Sequence, residues 1–383
     1  MVCRVQWART LADVDPEAWD ALSGPDNPFV EHAFLQTLED AGCVGTEETG
    51  WVPNHLLVYD GSLLVGAAPF YIKYDSFGEY IFDWGWAWAA ERAGIPYYPK
   101  LVCAVPFTPA TGPRLLVHPS ADRDAVTAAL AQAMRDVAEA TEASSIHCLF
   151  TLEAEQDVLA QHGFAARASH QYHWLRAPQW HSFDDYLAAM RAQNRKQVRR
   201  ERRRAREHGL SLSLRRGTEL APHHWQALWR FYRATTSAKG AIPYLTPKFF
   251  ELLPERLSHR AVVALAEDGD QPLAAALLFA KGKHLYGRYW GARAALEGVH
   301  FELCYYLPIE WALEHGIERF EAGAQGPHKI KRGFLPAPCY SAHWIAHPGL
   351  ARAVEEFLPR EAAHVRADIQ ALARHTPFRR DEP

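Results

Sequence analysis

The densest cluster of chemically capable residues lies between Glu321 and Phe334, which read EAGAQGPHKIKRGF. One carboxylate (Glu321), one amide (Gln325), one imidazole (His328) and three cations (Lys329, Lys331, Arg332) alternate with Gly323, Gly326 and Gly333. Glycines let a ligand approach backbone N–H groups, and the cations suit a phosphate or another anion. Glu321 and His328 are candidate general bases, as is His300 further upstream; Tyr305 and Tyr306, one helical turn beyond Glu302, are candidate acids. Gln325 and the backbone at Gly326 are candidate hydrogen-bond donors, and Lys329 and Arg332 are candidate anion holders. Each has a plainer reading beside it: a polar surface loop, core packing for the two tyrosines, a helix cap or core position for His300.

Two further clusters stand apart. YGRYWG brings Arg288 between Tyr286 and Trp290, and strand alternation predicts all three on one face, either binding a planar or anionic group or forming a structural stack. The long segment that holds Asp83, Trp84, Tyr97, Lys100, Thr108, Thr111 and Arg114 exceeds what a connection needs and is expected to form a substrate wall.

Elements that would position these groups are legible from periodicity and turn residues. Asn54–Tyr74 is a strand pair broken at Asp60-Gly61, followed by a helix near 121–140 and the strand Ser145–Phe150. Ala261–Ala292 gives three strands with turns at 268–270 and 281–283, then a helix near 301–315 and the strand Ile317–Gly323. The same order thus occurs twice. A boundary falls near Ala177–His181, which predicts domains of 1–178 and 179–383. Ser182 is expected to cap a helix that continues to about Gly209 and includes RKQVRRERRRAR, eight cations around Glu201. That block fits a solvated helix face or RNA phosphates. The terminal Arg-Arg-Asp-Glu-Pro is expected to fray.

Composition narrows the class. At 383 residues, 48% hydrophobic and 22% charged, the chain has the make-up of a globular protein with a substantial core. The start lacks an apolar leader, and runs such as Pro272–Ala280 are about half the roughly 20 residues a membrane helix needs. Six cysteines without a CxxC pair point to reduced thiols, with neither a disulfide frame nor a metal site. The reading is cytoplasmic, with no membrane span.

HLYGRYWGA (284–292), VHFELCYY (299–306), EAGAQGPHKIKRGFLP (321–336) and YSAHW (340–344) occur in that order. They follow PFVEHAFLQTLE (28–39) and YYPKLVCAVPFTPATGPRLL (97–116). Together they resemble the FemAB-like group of predicted N-acyltransferases and peptidoglycan biosynthesis proteins, which is related to the GNAT superfamily. Between Gly326 and His328 that group carries Glu where this chain has Pro327, so no carboxylate role falls there.

The resemblance implies an α/β fold of tandem GNAT-like domains, with mixed, mostly antiparallel sheets flanked by helices. It implies transfer of an acyl or aminoacyl group to an amine-bearing small molecule or cell-wall precursor. The co-substrate is acyl-CoA or aminoacyl-tRNA, with no permanently bound cofactor. The glycine-rich loop by which GNAT enzymes hold pyrophosphate is missing from Arg293–Glu302, where Gly298 stands alone, and this tilts the expectation slightly towards a tRNA-borne donor. In this reading Glu321 is the base and Tyr305 or Tyr306 the acid. Gln325 and the Gly323–Gly326 backbone serve as donors, Lys329 and Arg332 hold the donor substrate, and Tyr97, Lys100 and Arg114 select the acceptor. The competing class is a non-catalytic RNA- or ligand-binding protein on the same scaffold.

Overall fold

The computed structural model describes residues 3–323 and 326–379. These form two compact units. One holds the chain up to Ser169 together with Pro338–Ala367; the other holds His170–Ala337 and the segment from Asp368. The chain therefore returns to the first unit after completing most of the second, whereas the sequence reading placed one cut at 178/179.

In the first unit, Cys3–Ala8, His55–Asp60, Leu63–Ala68 and Leu116–Val117 form an antiparallel sheet. Its hairpin turns at Asp60-Gly61 as the sequence predicts. A second run of strands orders Trp51–Pro53, Phe70–Lys73, Lys100–Cys103 and Ser145–Thr151, then residues 340–345. Lys100–Cys103 and Ser145–Thr151 are parallel, joined through the helix Arg123–Ala140. Asp122 caps that helix, and its apolar stripe of Val126, Leu130, Met134 and Val137 buries against Leu56, Val58, Phe70 and Ile146.

In the second unit, Ser211–Arg216, Ala261–Asp268, Gln271–Lys281 and His284–Ala292 pair antiparallel in that order. Arg319–Glu321 then lies parallel to His284–Ala292 and antiparallel to residues 173–175. Antiparallel strands, a helix and a parallel closing strand thus recur in both units, and the fold is tandem GNAT-like.

Two local expectations are corrected. Ser182 does cap a helix, with Asp185 returning the bond, but that helix ends at Ala189 and a second begins at Ala192. Met190 is extended and fully buried, and the tail pairs there: Arg191 N–H donates to the Pro377 carbonyl (2.9 Å) and Arg379 N–H to that of Ala189 (3.0 Å). Burying a methionine and a tail strand outweighs helix continuity at that point. Arg379 is consequently held, and 380–383 lie outside the described residues. The second correction concerns YGRYWG. A bulge lets Leu278 face Gly287 and Leu277 face Tyr289, so Arg288 is the extra residue and alternation resets. Tyr286 and Trp290 therefore occupy opposite faces.

Candidate active site

The helix between the last two central strands begins at Val299, widens into a π-turn over Glu302–Tyr306 and resumes to Glu314. A π-turn inserts one residue per turn, and such turns concentrate at functional sites. Here it presents three polar groups to different partners. Glu302 meets Arg202 (2.8 Å), Tyr305 hydroxyl meets His328 Nε2 (3.1 Å), and Tyr306 hydroxyl donates to Glu201.

The glycine-rich segment completes the site. Pro327–Arg332 form a short 3-10 turn, with Pro327 at its first position, where no N–H is required. Gly326 has φ +112°, and a Cβ there would lie 2.5 Å from His328 Cε1. The imidazole thus folds back over a residue that only glycine can supply. Gln325 lies outside the described residues, so its expected donor role has no structural counterpart here.

His328 is exposed, while Tyr305 behind it is buried. Partial burial, then the charges of Arg332 and Lys329, hold its pKa below the ordinary histidine value, so the ring is neutral at pH 7. Burial pushes the Tyr305 hydroxyl up. His300 packs edge-on to Trp290 (5.0 Å between ring centres) and to Tyr305 (5.7 Å). Burial and His328 bring its pKa down to about 4. Lys329 is buried, donates to the Gly323 carbonyl (2.8 Å) and is lowered to about 8 by burial. Arg332 stacks on Phe301 (3.5 Å to the ring centre), donates to the His328 carbonyl (2.7 Å) and makes a two-oxygen contact with Glu201 (2.8 Å each).

Glu321 is elsewhere. Phe320 turns into the core that holds Tyr305, Phe334 and Trp174, so alternation sends Glu321 to the opposite face of the sheet, across from Tyr286 and His173. Its carboxylate is buried, 3.1 Å from Arg319 and 3.8 Å from His173. His328, Tyr305, His300, Trp290, Lys329 and Arg332 are thus brought together. Glu302 and Tyr306 are tied to the basic helix beside them, and Arg288 contacts Tyr289 (5.3 Å).

The basic helix Ala192–Glu207 serves two faces. Val198, Arg202 and Ala205 are buried, with Arg202 paired to Glu302 and Glu310 (2.7 Å). Lys196, Arg199, Arg200 and Arg203 lie at helical spacing, i, i+3, i+4 and i+7, on the side away from that core. This stripe borders a cleft of about 670 Å³ lined by Asp184, Arg199, Arg203, Arg206, Glu310 and Glu314. Gly298, the lone glycine of Arg293–Glu302, has a packing reason. With φ +83°, a Cβ on it would sit 2.8 Å from the Glu201 carbonyl. Sequence reasoning missed Glu201 as a site component because its partners, Tyr306 and Arg332, lie more than 100 residues away.

In the first unit, the expected acceptor-selecting residues turn inward. Lys100 is fully buried and bonds Ser76 (2.7 Å), Glu79 (3.0 Å) and Asp83 (2.5 Å). Tyr97 donates to Asp83 (2.6 Å). Arg114, also fully buried, donates to the carbonyls of Leu149 (2.8 Å) and Ala110 (2.7 Å).

His223, His224 and Glu267 bring ligand atoms within 4.8 Å of one another. Yet His224 Nδ1 accepts from Ala221 N–H (2.9 Å), which leaves Nε2 as the N–H facing Glu267 (2.9 Å), and Arg215 adds a cation. That tautomer and charge suit a buried ion pair better than a metal.

The sequence profile of the FemAB-like family, described as peptidoglycan biosynthesis or recognition, matches residues 10–380. No curated protein matches the sequence. Among solved structures, FemX is similar at 13% identity over 92% of this chain and 100% of its own, with TM-score 0.54. The C-terminal domain of a putative lysylphosphatidylglycerol synthetase from Agrobacterium fabrum is similar at 12% identity, over 90% and 96%, with TM-score 0.54. L-PGS from Bacillus licheniformis is similar at 10% identity, over 90% and 97%, with TM-score 0.52. Identities this low speak for the fold, and the family follows from the profile match along nearly the whole sequence: the chain belongs to the FemAB-like family, and it is a transferase.

Proposed function

We propose that the protein moves an aminoacyl group from aminoacyl-tRNA to the amine of a peptidoglycan precursor or a related small molecule, acting in the cytoplasm. The observation that carries this reading is the hydrogen-bonded pair of an exposed, neutral His328 and a buried Tyr305 beside two cations. Family membership supports acyl transfer as the reaction class. The cationic stripe on the basic helix favours a polyanionic donor over acyl-CoA.

Chemistry follows from the pair. The acceptor nitrogen attacks the ester carbonyl, forming the C–N bond, and His328 takes the nitrogen's proton. Tyr305 gives its proton to the departing ribose oxygen as the C–O bond breaks, and His328 returns its own proton to the tyrosinate. The relay ends with both residues in their starting states and transfers no net proton to solvent. Lys329 stabilises the oxyanion. Glu321 is buried beside Arg319 on the other sheet face, so His328 takes the base role in its place.

Native mass spectrometry of protein purified from its host tests the donor: co-purifying tRNA supports the reading, and bound coenzyme A without tRNA replaces it with acyl-CoA chemistry.

A further inference from the structure

Glu201 sits within the basic helix, between Arg200 of the cationic stripe and the buried Arg202. Its carboxylate holds both the Arg332 guanidinium (2.8 Å to each oxygen) and the Tyr306 hydroxyl, and Gln197 steadies it (2.9 Å). Arg332 in turn donates to the His328 carbonyl. A short chain of charge-assisted contacts therefore links the helix backbone to the turn that carries the imidazole. Gly298 lets the start of the π-turned helix touch the same stretch of backbone. One displacement of the helix would act on both His328 and Tyr305.

We propose that Glu201 is a positioning residue which couples the basic helix to the His328–Tyr305 pair, so that a phosphodiester chain lying along Lys196, Arg199, Arg200 and Arg203 is sensed at His328. This rests on the reading that the helix meets a nucleic-acid donor. The coupling needs no long pathway, because one side chain touches both the helix's own turn and the arginine that seats the histidine. The charged and titratable groups facing His328 are Arg332 and Lys329 on its own turn, Tyr305 and His300 on the π-turned helix, and Glu201 on the basic helix.

The test follows the His328 Cε1 resonance by NMR, which reads the coupling without requiring turnover. Glu201 favours the protonated ring and Arg332 opposes it, so Glu201→Gln should move the His328 midpoint to lower pH. Glu201→Asp, which keeps the charge and the fold, should recover most of the wild-type midpoint. A 12-nucleotide single-stranded RNA added to wild type should shift the resonance. Glu201→Gln should abolish that shift while changing RNA affinity less than about twofold. Three results would overturn the coupling: RNA that binds wild type and leaves His328 unmoved, an equal shift in Glu201→Gln, or no RNA binding at all. Acyl transfer itself stands or falls separately, on turnover of wild type and His328→Gln.

Discussion

His328 and Glu321 share one short segment, yet their side chains occupy different faces of the second unit's sheet. The expected consequence is a sharp difference between two conservative substitutions. His328→Gln should lower the transfer rate by about 100-fold, the usual contribution of a general base, whereas Glu321→Gln should change turnover only a few-fold. Steady-state rates on one aminoacyl donor decide between them; the reverse ranking would return the base role to Glu321. The sequence put Glu321 ahead of His328 as base, because Glu321's place depends on Phe320 filling the core and on the register with His173, neither of which is written in the local pattern. Arg288 was misplaced for a similar reason, since a bulge leaves no mark in YGRYWG itself. Lys100 offers a second residue-scale prediction. With its ammonium fully buried between Glu79 and Asp83, Lys100→Ala should destabilise the protein by roughly 3–5 kcal/mol, the cost of stranding buried charge. Denaturant unfolding measures it, and a loss below about 1 kcal/mol would show that the two carboxylates are not dependent on this lysine.

The basic helix is where composition was most suggestive and least specific. Eight cations in twelve residues read as one block. In the fold they divide: Arg202 is consumed by Glu302 and Glu310, Arg204 meets Glu297, and a stripe of Lys196, Arg199, Arg200 and Arg203 remains open to solvent. The stripe can neutralise phosphates without dismantling the core, whereas Arg202 cannot. Replacing its four cations with Gln should weaken tRNA binding and flatten the dependence of log affinity on log salt by about 0.7–0.9 for each phosphate left unneutralised. Arg202→Gln should instead lower stability with little effect on that slope. Filter binding over a salt series separates the two, and an unchanged slope in the four-fold variant would remove the helix from donor recognition. The break at Met190 was invisible in the sequence because the tail that pairs there lies nearly 200 residues away.

At the scale of the whole molecule, repetition of strands, helix and parallel closing strand was legible from periodicity and turn residues, and both units form it. The return of Pro338–Ala367 to the first unit was not, since local patterns carry no information about which unit a strand joins. Global stability should carry the mark of the first unit's buried network. Burial raises the Glu79 pKa from 4.5 to about 7, so the folded state retains a proton that the unfolded chain has released. Relative to Glu79→Gln, wild type should therefore be most stable below about pH 4.5 and lose that advantage as pH rises through 7. Parallel unfolding curves across this range would contradict the burial argument. A single-turnover assay decides whether His328 and Tyr305 form the catalytic pair of an aminoacyl transferase. Wild type, His328→Gln and Tyr305→Phe are each mixed with labelled aminoacyl-tRNA and amine-bearing peptidoglycan precursors, and amide product is followed over time. Label should appear in amide with wild type and at least about 100-fold slower with His328→Gln, with Tyr305→Phe also slowed. Amide formation at wild-type rate in both variants, or none with wild type, would contradict that pairing.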